Sequence, residues 1–270
     1  MTRLTPLMGR YDHLLLDLDG CVWVGDEPTP GAADAITALR AAGKSIAFIT
    51  NDGRHSGEEY VRKLWALGFR ASLEEVVTVG GAVQHVLAET DRWRTAYVVG
   101  APVIHRHVAD AGVRIVNGVD VPDADVVVVA AYDAFDYADL RGAVHAVLAG
   151  AELLTAGRDM TFPMPDGAWP GTGALVAAVE AATGVVGVNA GKPAAQPFVT
   201  ALDRLGADPR PARVLVVGDR LDSDLAGAHA AGLDGAIVLS GVTTDSEARA
   251  AADPTPVAIA ATLAALVLHP

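Results

Sequence analysis

Apolar residues recur along this chain in two patterns. The first is short runs without alternation: "HLLL" (13–16), "SIAFIT" (45–50), "AYVVG" (96–100), "DVVVVAA" (125–131), "ELLTAG" (152–157), "RVLVVGD" (213–219) and "GAIVLSG" (235–241). Runs of this length and composition predict strands buried on both faces, as in a parallel sheet. The second pattern has helical spacing. Ala32, Ala35, Ile36 and Leu39 form a stripe that Gly43 ends, and Val61, Leu64 and Trp65 form another that Gly68 ends. Ser56 with Glu59, and Ser72 with Glu75, stand at capping-box spacing before such segments. Further helices are expected in "YADLRGAVHAVLAG", "GALVAAVEAATG", "PFVTALDRLG" and "DLAGAHAAG", and at the end of the tail "PTPVAIAATLAALVLHP". Strands alternating with helices predict an α/β protein with a parallel sheet.

The bulk numbers narrow the choice of partner. The 270 residues include 51% hydrophobic and 20% charged residues, enough apolar surface for a sizeable core. A formal charge of −13 argues against duplex nucleic acid or an anionic membrane as the main partner. An anionic small substrate stays open, because a local site can oppose the global field. One cysteine, Cys21, allows no intrachain disulfide. The N-terminal residues show no signal-peptide pattern, and no stretch has the length of a membrane span. A cytoplasmic location is the expectation.

The candidate chemistry sits where strands run out. Asp17 and Asp19 follow the first run with one residue between them, so both carboxylates project to the same side. The C-terminal edge of an open α/β sheet is where ligands bind. Two adjacent carboxylates repel unless a cation or a shared proton relieves them, and Mg²⁺ prefers such oxygen ligands. A polar strand end with an Asx turn accounts for the same tetrapeptide. Thr50 and Asn51 end the second run and offer a hydroxyl, an amide and turning backbone N–H groups. Asp219, Asp222 and Asp224 form an acidic cluster after the "VLVVG" run, and Lys192 is held between Gly191 and Pro193. Two other clusters carry less. His105–His107 lacks nearby ligands at metal spacing, and Arg158 with Asp159 reads as a structural ion pair or a substrate contact.

The order of these segments resembles the haloacid dehalogenase superfamily, in the subgroup with a large α/β cap. The segments are "DLDGCVWVGDEPTPGA", "FITNDGRHS", "FPMPDGAWPGTGALVAAVE", "AGKP" and "VVGDRLDSDLAGAHAAG". The resemblance implies a Rossmann-like parallel sheet core with helices on both faces, built from 1–91 and 188–270. An α/β cap is inserted at 92–187. It implies Mg²⁺-dependent hydrolysis of a small phosphorylated metabolite, a phosphate monoester, through an aspartyl phosphate. Asp17 would be the nucleophile and Asp19 the general acid and base. Thr50, Asn51 and Lys192 would hold the phosphoryl group, and Gly171 and Thr172 would lie nearest the substrate in the cap. Asp17, Asp219 and Asp224 would serve the metal, with Asp19 contributing its backbone carbonyl. A homodimer through the cap is compatible with the resemblance. A phosphomutase or phosphotransferase using the same nucleophile, and a non-catalytic phosphometabolite-binding protein, are the alternatives. The chain departs from the family pattern at Cys21 and at Asp52, where a second asparagine is usual.

Overall fold

The structure is a computed structural model that describes residues 3–89, 92–118, 123–164, 167–206 and 213–269. In chain order, β1 (His13–Asp17) leads into a short hairpin, β2 (Trp23–Val24) and β3 (Glu27–Pro28). Then come α1 (Ala32–Ala41), β4 (Ser45–Thr50), α2 (Gly57–Ala66) and β5 (Val76–Thr78). Next are α3 (Val79–Ala88), β6 (Thr95–Val99), α4 (Pro102–Asp110), β7 (Arg114–Ile115), β8 (Val126–Val129), α5 (Tyr137–Leu148) and β9 (Glu152–Thr155). A second hairpin, β10 (Thr161–Met164) and β11 (Gly167–Pro170), precedes α6 (Thr172–Thr183) and β12 (Val188–Asn189). The C-terminal part holds α7 (Gln196–Arg204), β13 (Val214–Gly218), α8 (Ala226–Ala230), β14 (Asp234–Val238), α9 (Asp245–Ala250), β15 (Ala258–Ala260) and α10 (Leu263–Val267). Pro165 and Asp166 of the "FPMPDG" segment, and Asp91 at the expected cap boundary, lie outside the described residues.

The chain forms two compact units. The first comprises Met1–Thr50, Gly57–Val77 and Pro193–Pro270, and the second Asn51–Ser56 and Thr78–Lys192. The first is built on a six-stranded sheet in the order β15-β14-β13-β1-β4-β5. Strand β1 lies between parallel neighbours, with His13 beside Val214 and Ser45. Its side chains alternate between two cores, as the period of two demands. Leu14 and Leu16 join α1, α2 and α10 on one face. Leu15, with Ala47 and Ile49, joins α7 and α8 on the other. This double burial explains the unbroken apolar runs.

The second unit repeats the arrangement around a five-stranded parallel sheet, β12-β9-β8-β6-β7. Ala96, Val98, Val126 and Val128 pack with α3 and α4. Tyr97, Val99, Val127 and Val129 pack with α5 and α6. Helix α3 thus contributes Val79, Val83 and Leu87 to the core of this unit.

Local signals fail in instructive places. Ser72 and Glu75 form half of a capping box, with the Ser72 N–H donating to the Glu75 carboxylate at 2.9 Å. No helix starts there. The β-branched Val76–Thr78 is a strand instead, and Thr78 caps α3 by accepting from the Gly81 N–H. Trp65, expected on the inner face of α2, is 61% exposed, whereas Tyr60, Val61 and Leu64 are buried. One residue further along a helix turns the side chain by about 100°, and the Trp65 indole reaches the Ala71 carbonyl at 2.8 Å. In the tail, Ala258–Ala260 pairs with β14 as an edge strand before α10 begins.

Candidate active site

Parallel register decides which strand ends meet. Leu16 lies beside Val217 and Phe48, and Asp17 beside Ile49. The C-terminal ends of β1, β4 and β13 therefore finish at one edge of the sheet, which delivers Asp17, Thr50 and Asp219 there. All three are buried. Asp224 arrives by another route. The chain after β13 makes a π-helical turn, Leu221–Leu225, which folds its carboxyl group back over Gly218. A Cβ on Gly218 would lie 2.1 Å from the Asp224 carboxyl carbon, so only glycine lets the turn close. The Arg220 N–H donates to the Asp224 carboxylate at 3.1 Å.

Asp17, Asp219 and Asp224 each place a carboxylate oxygen within 4.8 Å of the others. Among the described residues this is the one group of metal-ligating side chains that converges in this way. Three buried carboxylates repel strongly without a cation. An all-oxygen, anionic donor set suits a hard dication such as Mg²⁺. Asp222 stands apart from the cluster. Its carboxylate pairs with the Arg220 guanidinium through two hydrogen bonds, at 3.0 and 3.1 Å.

Asp219 is held by residues that sequence reasoning passed over. The Val242 N–H donates to its Oδ2 at 2.7 Å, and the Thr243 N–H to its backbone carbonyl at 3.1 Å. Two glycines wall the carboxylate. A Cβ on Gly20 would lie 2.4 Å from Oδ2, and one on Gly241 would lie 2.0 Å from it. Gly20 also has φ +83°, a left-handed conformation that favours glycine. The signal for Gly241 was the "LSG" that ends the β14 run, a strand end like the others. Asp19, half-buried, is outside the three-carboxylate cluster; its Oδ1 accepts the Trp23 indole N–H at 2.8 Å.

The second unit contains Asn51 and Lys192. The Asn51 amide donates to Asp159 at 2.8 Å and to the Lys192 carbonyl at 3.0 Å, and its Oδ1 accepts the Lys192 N–H at 2.8 Å. Asn51 thus fixes the backbone of a buried lysine. Gly191 is needed for this approach, because a Cβ there would lie 2.7 Å from Asn51 Oδ1 and from the Ala156 carbonyl. Asp52 has its charge met locally. It accepts from the Arg54 backbone and guanidinium, at 2.9 Å from N and Nε, while the same guanidinium stacks 4.3 Å from the Phe162 ring centroid.

Gly171 and Gly173 make close approaches to backbone, since Cβ atoms there would lie 2.2 and 2.3 Å from the Asp159 and Arg158 carbonyls. The Thr172 hydroxyl accepts the Ala131 N–H at 2.9 Å. Arg158 pairs with Glu180 rather than with Asp159, and its guanidinium bonds hold the Glu180 carboxyl below the usual carboxylate range. His105 and His107 bond to the Ala101 carbonyl and to Gln84.

This chain is similar to known proteins in sequence and in fold. Residues 14–114 match a family model described as haloacid dehalogenase-like hydrolase, and 189–266 match a HAD-hydrolase-like model. D-glycerol 3-phosphate phosphatase of Mycobacterium tuberculosis is 40% identical over 237 residues, covering 87% of this chain and 65% of that protein. This chain therefore spans just under two thirds of that relative. Human chronophin is 31% identical over 260 residues, covering 92% of this chain and 87% of its own. A crystal structure of the M. tuberculosis glycerol phosphate phosphatase in complex with magnesium aligns at a TM-score of 0.88 and 35% identity, covering 98% of this chain and 79% of that one. The chain belongs to the haloacid dehalogenase-like hydrolases.

Proposed function

We propose that this chain catalyses Mg²⁺-dependent hydrolysis of a small phosphate monoester, with Asp17 as nucleophile and Asp19 as general acid and base. The observation that carries it is the convergence of Asp17, Asp219 and Asp224, all buried, at one sheet edge, with Asp19 two residues past the end of β1. In the first step a carboxylate oxygen of Asp17 attacks phosphorus and the bond to the leaving oxygen breaks. Asp19 gives that oxygen its proton. In the second step Asp19 takes a proton from water, whose oxygen attacks phosphorus of the aspartyl phosphate; phosphate leaves and Asp17 is regenerated. Asp17, Asp219, Asp224 and the Asp19 carbonyl would hold Mg²⁺, which when bound neutralises charge between the nucleophile and the phosphoryl group.

Thr50 and Asn51 bind the phosphoryl oxygens in this reading, and Lys192 offsets their charge. Residues 1–91 and 188–270 act as catalytic core, and 92–187 as the cap that selects the leaving group, with Gly171 and Thr172 as its substrate-side residues. Glycerol phosphate is the first substrate to try, because the 40%-identical relative is named for it. Among the described residues no helix is long and apolar enough to cross a membrane, and we place the enzyme in the cytoplasm. A cap-to-cap homodimer would cover Val186 and Val188 beside the β12 edge, which are 77% and 56% exposed; light scattering would detect it.

The test is phosphate release from p-nitrophenyl phosphate and glycerol 3-phosphate, with Mg²⁺ and with EDTA, for wild type and Asp17→Asn. Loss of turnover with EDTA and with Asp17→Asn is expected. Turnover that survives Asp17→Asn would remove the nucleophile assignment.

A further inference from the structure

Trp23 is fully buried, yet its one polar atom is spent on a single partner: the indole Nε1–H donates to Asp19 Oδ1 at 2.8 Å. The backbone enforces this contact. The chain turns back after β1, with the Val22 and Trp23 N–H groups donating to the Leu18 carbonyl at 2.8 and 3.1 Å. The Gly20 N–H donates to the Trp23 carbonyl at 2.7 Å, and Asp19 and Trp23 form an isolated β-bridge. The ring itself is clamped from α2. Tyr60 stacks against it with ring centroids 6.2 Å apart and planes 8° apart, and Lys63 Nζ lies 4.7 Å from the ring centroid. Lys63 also ties the hairpin down by donating to the Gly25 carbonyl at 2.8 Å.

From this geometry we infer that Trp23 is a positioning residue for Asp19, resting on the reading of Asp19 as acid and base. An indole N–H is a donor only. It therefore offers a proton to Oδ1 throughout the cycle and never competes to receive one. That fixes the rotation of the carboxyl group and makes Oδ2 the oxygen that carries the transferable proton. Holding a catalytic group within a fraction of an ångström of its working position is worth one to two orders of magnitude in rate.

The experiment uses Trp23→Phe and, separately, replacement of Trp23 by benzothienylalanine, a bicyclic isostere with sulfur in place of the N–H. Turnover is measured with p-nitrophenyl phosphate and with phenyl phosphate, whose leaving group is more basic and needs the proton more. Both substitutions are expected to lower kcat for phenyl phosphate about 10- to 100-fold, with a smaller loss for p-nitrophenyl phosphate and KM within about twofold. In an Asp19→Asn background neither should lower kcat further. Wild-type kcat in the sulfur isostere, which preserves packing if Trp23→Phe does not fold, would overturn the inference. So would an undiminished effect of Trp23→Phe in the Asp19→Asn background. Wild-type kcat in Asp19→Asn alone would instead remove the acid–base reading beneath it.

Discussion

The two sheets of this protein are built from the same kind of strand and end differently. In the first unit, β1 and β13 run out into Asp17 and Asp219, and β4 ends in Thr50. In the second, β6, β8 and β9 run out into Gly100, Ala130 and Ala156. Both sheets are parallel and both bury their strands on two faces. A parallel sheet gathers strand ends at one edge whatever they carry. What distinguishes the first edge is the residue type placed there and the glycines that let carboxylates crowd together. The second edge is instead closed by small residues and by local bonds such as that of the Thr172 hydroxyl with the Ala131 N–H.

The sharpest way to break the comparison is to remove the carboxylate that the first edge exists to present. Asp17→Asn keeps the shape and is expected to lower kcat by at least about 10⁴-fold, read as phosphate release under saturating Mg²⁺. The converse change gives the second edge a carboxylate. Ala130 is fully buried in the core with α3 and α4. Ala130→Asp should cost about 3–5 kcal/mol in urea unfolding, because it buries a carboxylate among the apolar side chains of that core. An intermediate effect is expected from the glycine wall. Gly241→Ala places a methyl group 2.0 Å from Asp219 Oδ2 and should weaken apparent Mg²⁺ affinity about 10- to 100-fold, read from the Mg²⁺ dependence of turnover.

The smallest effect concerns the opposite side of the first sheet. The Tyr11 hydroxyl donates to Asp234 at 2.6 Å, and burial first, then that hydrogen bond, pushes its pKa from 10.0 up to about 12. The folded state thus favours the protonated phenol. Its contribution is present in full below pH 10 and is lost as pH rises towards about 12. Tyr11→Phe should flatten that alkaline decline in thermal melts while leaving turnover at neutral pH unchanged.

Much of this was legible in the chain. The unbroken runs at 13–16, 45–50, 126–129 and 214–218 are strands because residues buried on both faces leave no alternation to read. The helical stripe at Ala32, Ala35, Ile36 and Leu39 is buried as its spacing predicts. The short pairs were not legible. Hairpin β2–β3 has two residues per strand, too few to carry a period, and it is this hairpin that turns Trp23 back onto Asp19. Asp52, where the resemblance implies an asparagine, has its charge answered by Arg54 only once the loop folds.

Sequence alone determined which residue types stand where each strand stops, since burial and periodicity are local properties that a strand cannot hide. Tertiary structure alone decided which of those ends meet. Asp17 and Asp219 are separated by some two hundred residues and become neighbours through the register of β1 with β13. Asp224 joins them only because a π-helical turn closes over Gly218. Gly241, a loop residue with no side chain to announce a role, is fixed by the carboxylate packed against it. Such contacts depend on how distant segments pair, and no local pattern in the chain encodes that.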